Sequence, residues 1–111
     1  MKYVCLVYMP ENDLDAIPDR ECIAYGESLR ESGRYVGGEA LQKRHSTTTV
    51  NVRNGRVNVT DGPFAETKEQ LAGFYVIDAR DLNEAIHLVS RIPPARVGNI
   101  EVRPVRELAT D

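Results

Sequence analysis

Two stretches of the chain carry apolar side chains at successive positions instead of alternating them with polar ones. They are "KYVCLVY" (Lys2–Tyr8) and "LAGFYVIDA" (Leu71–Ala79). Successive side chains of an extended strand point to opposite faces, so a strand of this kind is covered on both faces. The pattern therefore predicts the two central strands of a sheet. Shorter strands are predicted in "RYVGGEAL" and "NIEVRPV".

Two other segments have the spacing of helices. Pro18 fits the first turn of a helix that runs to about Ser32, with Gly33 as its stop. Asp81 and Glu84 have the spacing of a capping box at the start of a second helix. The predicted inward stripes are Cys22, Tyr25, Gly26 and Leu29 in the first helix, and Leu82, Ala85, Ile86 and Val89 in the second.

The dipeptide Asn54-Gly55 separates "TTTVNVR" from "RVNVT" and predicts a two-residue hairpin turn. Such a turn fixes the register of the pair, with Arg53 opposite Arg56 and each valine opposite a valine. One face of the predicted hairpin carries Val50, Val52, Val57 and Val59, and the other face carries the asparagines and arginines.

The order of the predicted elements is strand, helix, strand, hairpin, strand, helix, strand. This is the split βαβ order of a ferredoxin-like α+β fold with an inserted β-hairpin. Two helices cover only one face of such a sheet, yet the central strands are apolar on both faces. An exposed apolar face of that size marks an interaction site, and a second copy related by a two-fold axis is its simplest cover. We predict a homodimer through the open sheet face.

Length and charge narrow the class of protein. The 111 residues fit one domain over positions 1–111, with 41% hydrophobic and 28% charged residues. The net charge is −3 and the basic residues are scattered, which argues against a nucleic-acid partner. No apolar run approaches the roughly 20 residues that span a bilayer, and the start of the chain lacks a cleavage site. The expected location is cytoplasmic, with no membrane partner.

The residue spacing does not suggest a metal or a cofactor. Cys5 and Cys22 lie in different predicted elements among apolar neighbours, and we interpret them as core thiols in a reducing compartment. No set of residues has metal-ligand spacing, and the chain has neither a glycine-rich phosphate loop nor a dinucleotide fingerprint.

The segment "VTDGPFAETKEQLAGFYVIDARDLNEA" resembles the signature of the DGPF branch of the YCII-related superfamily. The resemblance extends over nearly the whole chain, through "YVGGEAL", "TTTVNVRNGRVNVTDGPF", "SRIPPAR" and "IEVRPV". It implies a dimeric α+β barrel. The family has no established general activity. Its members are often encoded beside extracytoplasmic-function sigma factors, and related barrel families include muconolactone isomerases and lyases.

The chain departs from the family pattern at two places. The usual "GGEGLQP" is here "GGEALQK", with Ala40 in place of a glycine and Lys43 in place of a proline. The wider group uses a His-Asp pair in its pocket. The histidines of this chain, His45 and His87, do not lie where that pair is expected, so the resemblance does not extend to a His-Asp mechanism.

The loop after the hairpin concentrates ionisable residues. Asp61 or Glu66 would act as a general base near the mouth of the barrel, and Lys68 would hold its charge or receive an anionic substrate. The alternative is that Asp61 builds the turn and the Glu-Lys-Glu run solvates the loop. Phe64 is expected to anchor the loop in the core.

Four further residues are pocket candidates. Glu39 follows two glycines at the end of a strand, as either a pocket acid or a surface acid. Tyr8 and Tyr75 would line the cavity with phenol groups, or would pack an interface. His45 lies in a polar loop, where it would bind a ligand or be solvated.

Two functions are compatible with these features. One is a cofactor-free lyase or isomerase that uses the loop carboxylates on a small polar or anionic metabolite. The other is a non-enzymatic ligand-binding or regulatory dimer, linked to sigma-factor transcription control by the resemblance. Whether two ionisable groups converge in a pocket distinguishes them.

Overall fold

A computed structural model describes residues 1–109. Over this range the strands and helices follow in the predicted order. They are β1 (Lys2–Pro10), α1 (Asp19–Glu31), β2 (Tyr35–Ala40), β3 (Thr48–Arg53), β4 (Arg56–Asp61), β5 (Glu69–Asp78), α2 (Leu82–Val89) and β6 (Asn99–Pro104). Short 3-10 turns lie at Glu11–Asp13, Arg44–Ser46 and Pro93–Arg96.

Four strands form one antiparallel sheet in the order β2-β5-β1-β6, and β3 pairs with β4 in a separate hairpin. The two strands that are apolar on both faces, β1 and β5, are central, as predicted. This strand order and the two crossover helices make the fold ferredoxin-like α+β, so the predicted fold class is confirmed.

Both helices cover the same face of the sheet. The core on that face consists of Tyr3, Cys5, Val7, Met9, Tyr25, Leu29, Ile77, Ala79, Ala85, Val89 and Ile92. The intervening positions of β1 and β5 point to the other face because strand side chains alternate. In the paired register Val4 lies opposite Val76, Leu6 opposite Phe74 and Tyr8 opposite Leu71. We call the surface that these six residues form the open face.

The first helix agrees with its prediction apart from its ends and one position. Pro18 precedes the helix as its N-cap, with ψ of 140°, and Gly33 ends it with φ of +76°. Tyr25, Gly26 and Leu29 are buried. Cys22 is only partly buried, because it faces the cleft described below and not the centre of the core.

The second helix has the predicted cap, but its predicted stripe is partly wrong. The Glu84 N–H donates to Asp81 Oδ1 at 2.9 Å. Leu82 and Ile86 are each 51% exposed, whereas Ala85 and Val89 are buried. The side of α2 that packs against the core carries Ala85, Leu88 and Val89, and Leu82 and Ile86 lie outside this contact.

The hairpin has the predicted register in every pair, from Arg53 opposite Arg56 to Val50 opposite Val59. Asn58 Nδ2 donates to Asn51 Oδ1 at 2.9 Å across its polar face. The four valines of its other face are between 56% and 66% exposed. The hairpin therefore extends from the sheet as an arm. The radius of gyration is accordingly 16.0 Å, against about 13 Å for a compact chain of this length.

Phe64 is not the core anchor that the sequence suggested, since its side chain is 90% exposed. Gly62 turns the chain with φ of +92° just beyond the extended hairpin. The following residues then run along the surface, where the core is out of reach.

Candidate functional site

A cleft of about 500 Å³ opens between α1 and the sheet. Its floor is formed by core-facing residues of β1, β2 and β5, and one wall is α1. The loops before α1 and after β2 form its rim. Representative lining residues are Val7, Met9 and Tyr75 on the floor, Gly26 and Arg30 on the wall, and Lys43 on the rim.

Three glycines along the cleft account for its shape. A Cβ atom at Gly26 would meet nothing within 4 Å, so the missing side chain is part of the open space. A Cβ at Gly38 would lie 2.8 Å from Phe74 O, and one at Gly73 would lie 2.8 Å from Glu39 O. These two glycines are needed for the close approach of β2 and β5, which form the floor.

The Tyr75 side chain lines the cleft, and the Tyr25 ring packs against it. The two rings pack edge to face with centroids 5.3 Å apart, and Tyr25 Oη donates to Leu88 O at 2.7 Å. Burial, and then the neighbouring Cys22 and Tyr35, raise the pKa of Tyr75 to about 12. Tyr75 is therefore a neutral phenol at physiological pH, able to donate a hydrogen bond.

Two cationic side chains, Lys43 and Arg30, line the cleft and differ in their ion pairing. Lys43 Nζ lies 3.2 Å from Asp15 Oδ2 in an exposed ion pair. Arg30 places its guanidinium 4.3 Å from the centroid of the Tyr35 ring. Among residues 1–109 no carboxylate pairs with Arg30, so its charge is available to an anionic group in the cleft.

A smaller depression of about 350 Å³ adjoins the cleft at Leu14, Lys43 and Gln70. Arg44 lies between two carboxylates there, 3.3 Å from Glu66 and 3.6 Å from Glu11. The Arg44 ion pairs connect the loop after β1 with the loop before β5.

The loop residues predicted to act together are separated in the structure. Asp61 and Lys68 are exposed and line neither cavity. Glu66 lines the smaller depression with its side chain 87% exposed, and its cation is Arg44, not Lys68. Asp61 instead ends β4, opposite Thr48, and the next residue begins the turn, where the Gly62 N–H donates to Thr47 O at 2.7 Å.

The other four candidates lie apart from one another. Tyr75 is on the floor of the main cleft. Glu39 is at the margin of the cleft, paired in register with Phe74 at the edge of the open face. Tyr8 lies on the open face, and His45 lines the smaller depression.

Sequence reasoning missed Gln70 and Arg44. Gln70 is the polar residue that the structure buries within residues 1–109, and it lines both cavities. A signal for it was present, since "KEQLAGF" puts an uncharged polar residue at the start of an apolar strand. Arg44 gave no signal, because its partners are distant along the chain.

Cys22 is a thiol with low expected reactivity. Burial, followed by the charges of Asp19 and Glu21, raises its pKa, while Arg96 acts in the opposite direction. The thiolate fraction below that pKa is smaller than in free cysteine, so we expect reaction with a chromogenic disulfide reagent near pH 8 to be slower than for free cysteine. The rate should rise with pH.

Stopped-flow absorbance on the native protein would measure this rate, with Cys22→Ser as the blank. Cys5 is fully buried, and burial raises its pKa to about 11, so the blank should react only after unfolding. A rate equal to that of free cysteine would contradict this account of Cys22.

Within residues 1–109, no three His, Cys, Asp or Glu side chains converge as metal ligands do. In the same part of the chain, neither helix has the length and apolar character needed to cross a membrane.

The fold and the cleft define the class as a ferredoxin-like α+β protein with an open cavity between one helix and the sheet. The model of the YCII-related domain matches residues 1–109. The chain belongs to the YCII-related family.

Two known proteins are similar to this chain. An uncharacterized protein of Rhizobium meliloti (strain 1021) is 38% identical over 88 residues, which cover 78% of this chain and 71% of the relative. The solved structure of 5-chloro-2-hydroxyhydroquinone dehydrochlorinase from Burkholderia phenoliruptrix, in complex with 2,5-dihydroxybenzoquinone, matches with a TM-score of 0.59. That match covers 96% of this chain and 94% of the other at 15% identity, so the similarity is one of fold.

Proposed function

We propose that this protein binds a small planar organic molecule in the cleft between α1 and the sheet. The observation on which this rests is the cleft itself. Its volume of about 500 Å³ falls in the range of roughly 300–1,000 Å³ typical of small-molecule sites. Its apolar floor, Val7, Met9 and Tyr75, suits a ring.

The polar groups of the cleft favour a ligand with oxygen substituents or a negative charge. Tyr75 is a neutral donor, and the Arg30 guanidinium stands free of carboxylates within the described range. The fold neighbour was solved with 2,5-dihydroxybenzoquinone. That compound is a ring of this chemical type, which makes it a suitable first probe for this chain.

We prefer binding to turnover by the loop carboxylates. General acid-base chemistry needs ionisable groups within hydrogen-bond reach of the substrate. Asp61 lines neither cavity, and Glu66 is largely solvated in the smaller depression. A lyase or isomerase that uses these two residues therefore has less support than a binding protein.

We expect Gly26→Phe to abolish binding, because a ring at this position would occupy space that is now open in the cleft. The dissociation constant for 2,5-dihydroxybenzoquinone, measured by calorimetry, should rise by at least about tenfold. Heteronuclear NMR of the wild-type protein should place the ligand-induced shifts on α1 and β5.

Ala24→Phe is the matched control, since it adds the same ring to the exposed side of the same helix. Its affinity should stay within about twofold of the wild type. Unchanged binding by a folded Gly26→Phe variant would show that the ligand does not use this cleft.

We also propose that two copies associate through the open face. Its central strands contribute Val4, Leu6, Phe74 and Val76, which are only partly covered within one chain. The edge strand β6 adds Glu101 and Arg103 beside them. An apolar centre with a polar rim is the arrangement typical of protein interfaces. The floor and wall of the cleft lie mainly on the helix-covered side of the sheet, and Leu71 and Phe74 of the open face also line its margin.

We further propose that the chain belongs to the DGPF branch of the family and that the protein is cytoplasmic. The signature "DGPF" begins at Asp61, the last residue of β4, and continues into the turn at Gly62. Both cysteines are free, as expected in a reducing compartment.

A further inference from the structure

Gln70 stands out because it is a polar side chain inside an apolar environment. It is 5% exposed and lies on the core-facing side of β5, paired with Met9 of β1. Buried polar side chains almost always make hydrogen bonds. Both the oxygen and the nitrogen of the Gln70 amide are therefore expected to have partners.

The oxygen end of the amide has a partner. The backbone N–H of Arg44 donates to Gln70 Oε1 at 3.3 Å. A backbone N–H can only donate, so this contact determines which end of the amide is the oxygen. The NH₂ group must therefore point away from Arg44.

The nitrogen end is free within the described part of the chain. Among residues 1–109 the hydrogen bond of the Gln70 side chain is the one that Oε1 accepts from Arg44, and Nε2 donates none. In the same range, every fully buried side-chain nitrogen or oxygen has a hydrogen-bond partner. Because Nε2 has no partner, it is not fully buried and must face open space. That space is the cleft and the adjoining depression, both of which Gln70 lines.

We propose that Gln70 is the hydrogen-bond donor that selects and orients the ligand of the cleft. Its NH₂ group donates to an acceptor oxygen on the ligand (a carbonyl, phenolate or carboxylate), while the apolar floor holds the ring. The ligand class is thus a single ring with at least one oxygen acceptor. This inference rests on the binding function proposed above and adds a requirement that the cleft alone does not impose.

The contact with Arg44 explains why the donor is well placed. The side chain of Arg44 is held by Glu11 and Glu66, and its backbone N–H holds the amide oxygen. The NH₂ group is then oriented before any ligand arrives, which avoids the entropic cost of ordering a flexible side chain on binding.

The test uses three probes and two variants of the full chain. The probes are 2,5-dihydroxybenzoquinone and the isosteric pair p-cresol and p-xylene, which differ by a hydroxyl and a methyl group. Gln70→Met keeps the volume and removes both polar ends. Gln70→Glu keeps an oxygen for the Arg44 N–H and removes the donor. Circular dichroism and the thermal midpoint would identify the variants that fold as the wild type does.

We expect Gln70→Met to weaken binding of the two oxygen-bearing probes by about tenfold and to change p-xylene affinity by less than about twofold. Gln70→Glu should weaken p-cresol similarly and change p-xylene affinity by less than about twofold, and this pair of results suffices if the methionine variant does not fold. NMR titration on cleft residues measures all three affinities.

Two results would overturn the inference in different ways. If all three probes weaken equally, or none does, Gln70 is only structural and the cleft still binds ligands. If no probe shifts the cleft resonances of the wild-type protein, the binding function fails and the role of Gln70 fails with it.

Discussion

Gly98→Ala should lower the free energy of unfolding by about 3 kcal/mol, the upper range for overpacked sites. A Cβ atom at position 98 would overlap the backbone oxygen of Tyr8 and would lie 3.1 Å from Met9 Cα. Both contacts are to main-chain atoms of the central strand β1. No flexible side chain can move aside, so β6 must shift or β1 must bend.

The site offers little room for that shift. Asn99, the next residue, begins β6 and pairs with Tyr8, and the Gly98 N–H donates to Pro94 O at 2.8 Å. Moving Gly98 away from Tyr8 therefore disturbs the first pair of the β1–β6 ladder and the 3-10 turn before it. A backbone clash of this kind falls among the mechanisms that give large mutational effects.

Urea unfolding followed by circular dichroism measures the change, and Gly26→Ala is the control. The new Cβ at position 26 meets nothing within 4 Å. Alanine there should stabilise the protein by about 0.5–1 kcal/mol, because glycine is a poor helix former. Equal and small effects at the two positions would mean that the start of β6 adapts easily.

Leu6→Asp should convert the dimer that we propose to a monomer. Leu6 lies on the open face of β1, opposite Phe74 of β5, at the centre of the apolar surface that we propose to be the interface. In a dimer the new carboxylate would be buried among apolar side chains and directly opposite the like-charged Glu101, which is strongly unfavourable. We expect the dimer dissociation constant to rise at least about a hundredfold, or roughly 2.7 kcal/mol.

Sedimentation equilibrium over a range of concentrations would measure the mass of both proteins. Leu82→Asp is the matched control, since Leu82 is 51% exposed on α2, at the helix-covered side of the sheet. It should leave the dimer intact. The open face is not the interface if the wild-type protein is monomeric at high concentration. The same conclusion follows if Leu6→Asp is still a dimer.

The features that could be predicted are those with a local origin. The central position of β1 and β5 followed from apolar residues at successive positions, and the hairpin register followed from Asn54-Gly55. Both patterns lie within a few consecutive residues. Their outcome therefore depends little on how the remaining elements pack.

The predictions that failed concerned which side chains of an element contact the core. Leu82 and Ile86 have the right helical spacing, but the short α2 meets the core through Ala85, Leu88 and Val89 instead. Phe64 has the right hydrophobicity, but it follows a turn at the base of an arm that stands away from the core. The hydrophobic pattern of the sequence does not show how far a helix face or a loop lies from the core.

The chain by itself therefore determined the order of the elements, the hairpin register and the apolar residues on both faces of β1 and β5, because each follows from local spacing and backbone chemistry. Only the tertiary structure decided where the cleft lies and which polar groups face it. Arg44 meets Gln70 across 26 positions of the chain, and the open space at Gly26 exists only where α1 crosses the sheet. Such contacts depend on the packing of whole elements, which local sequence patterns do not specify.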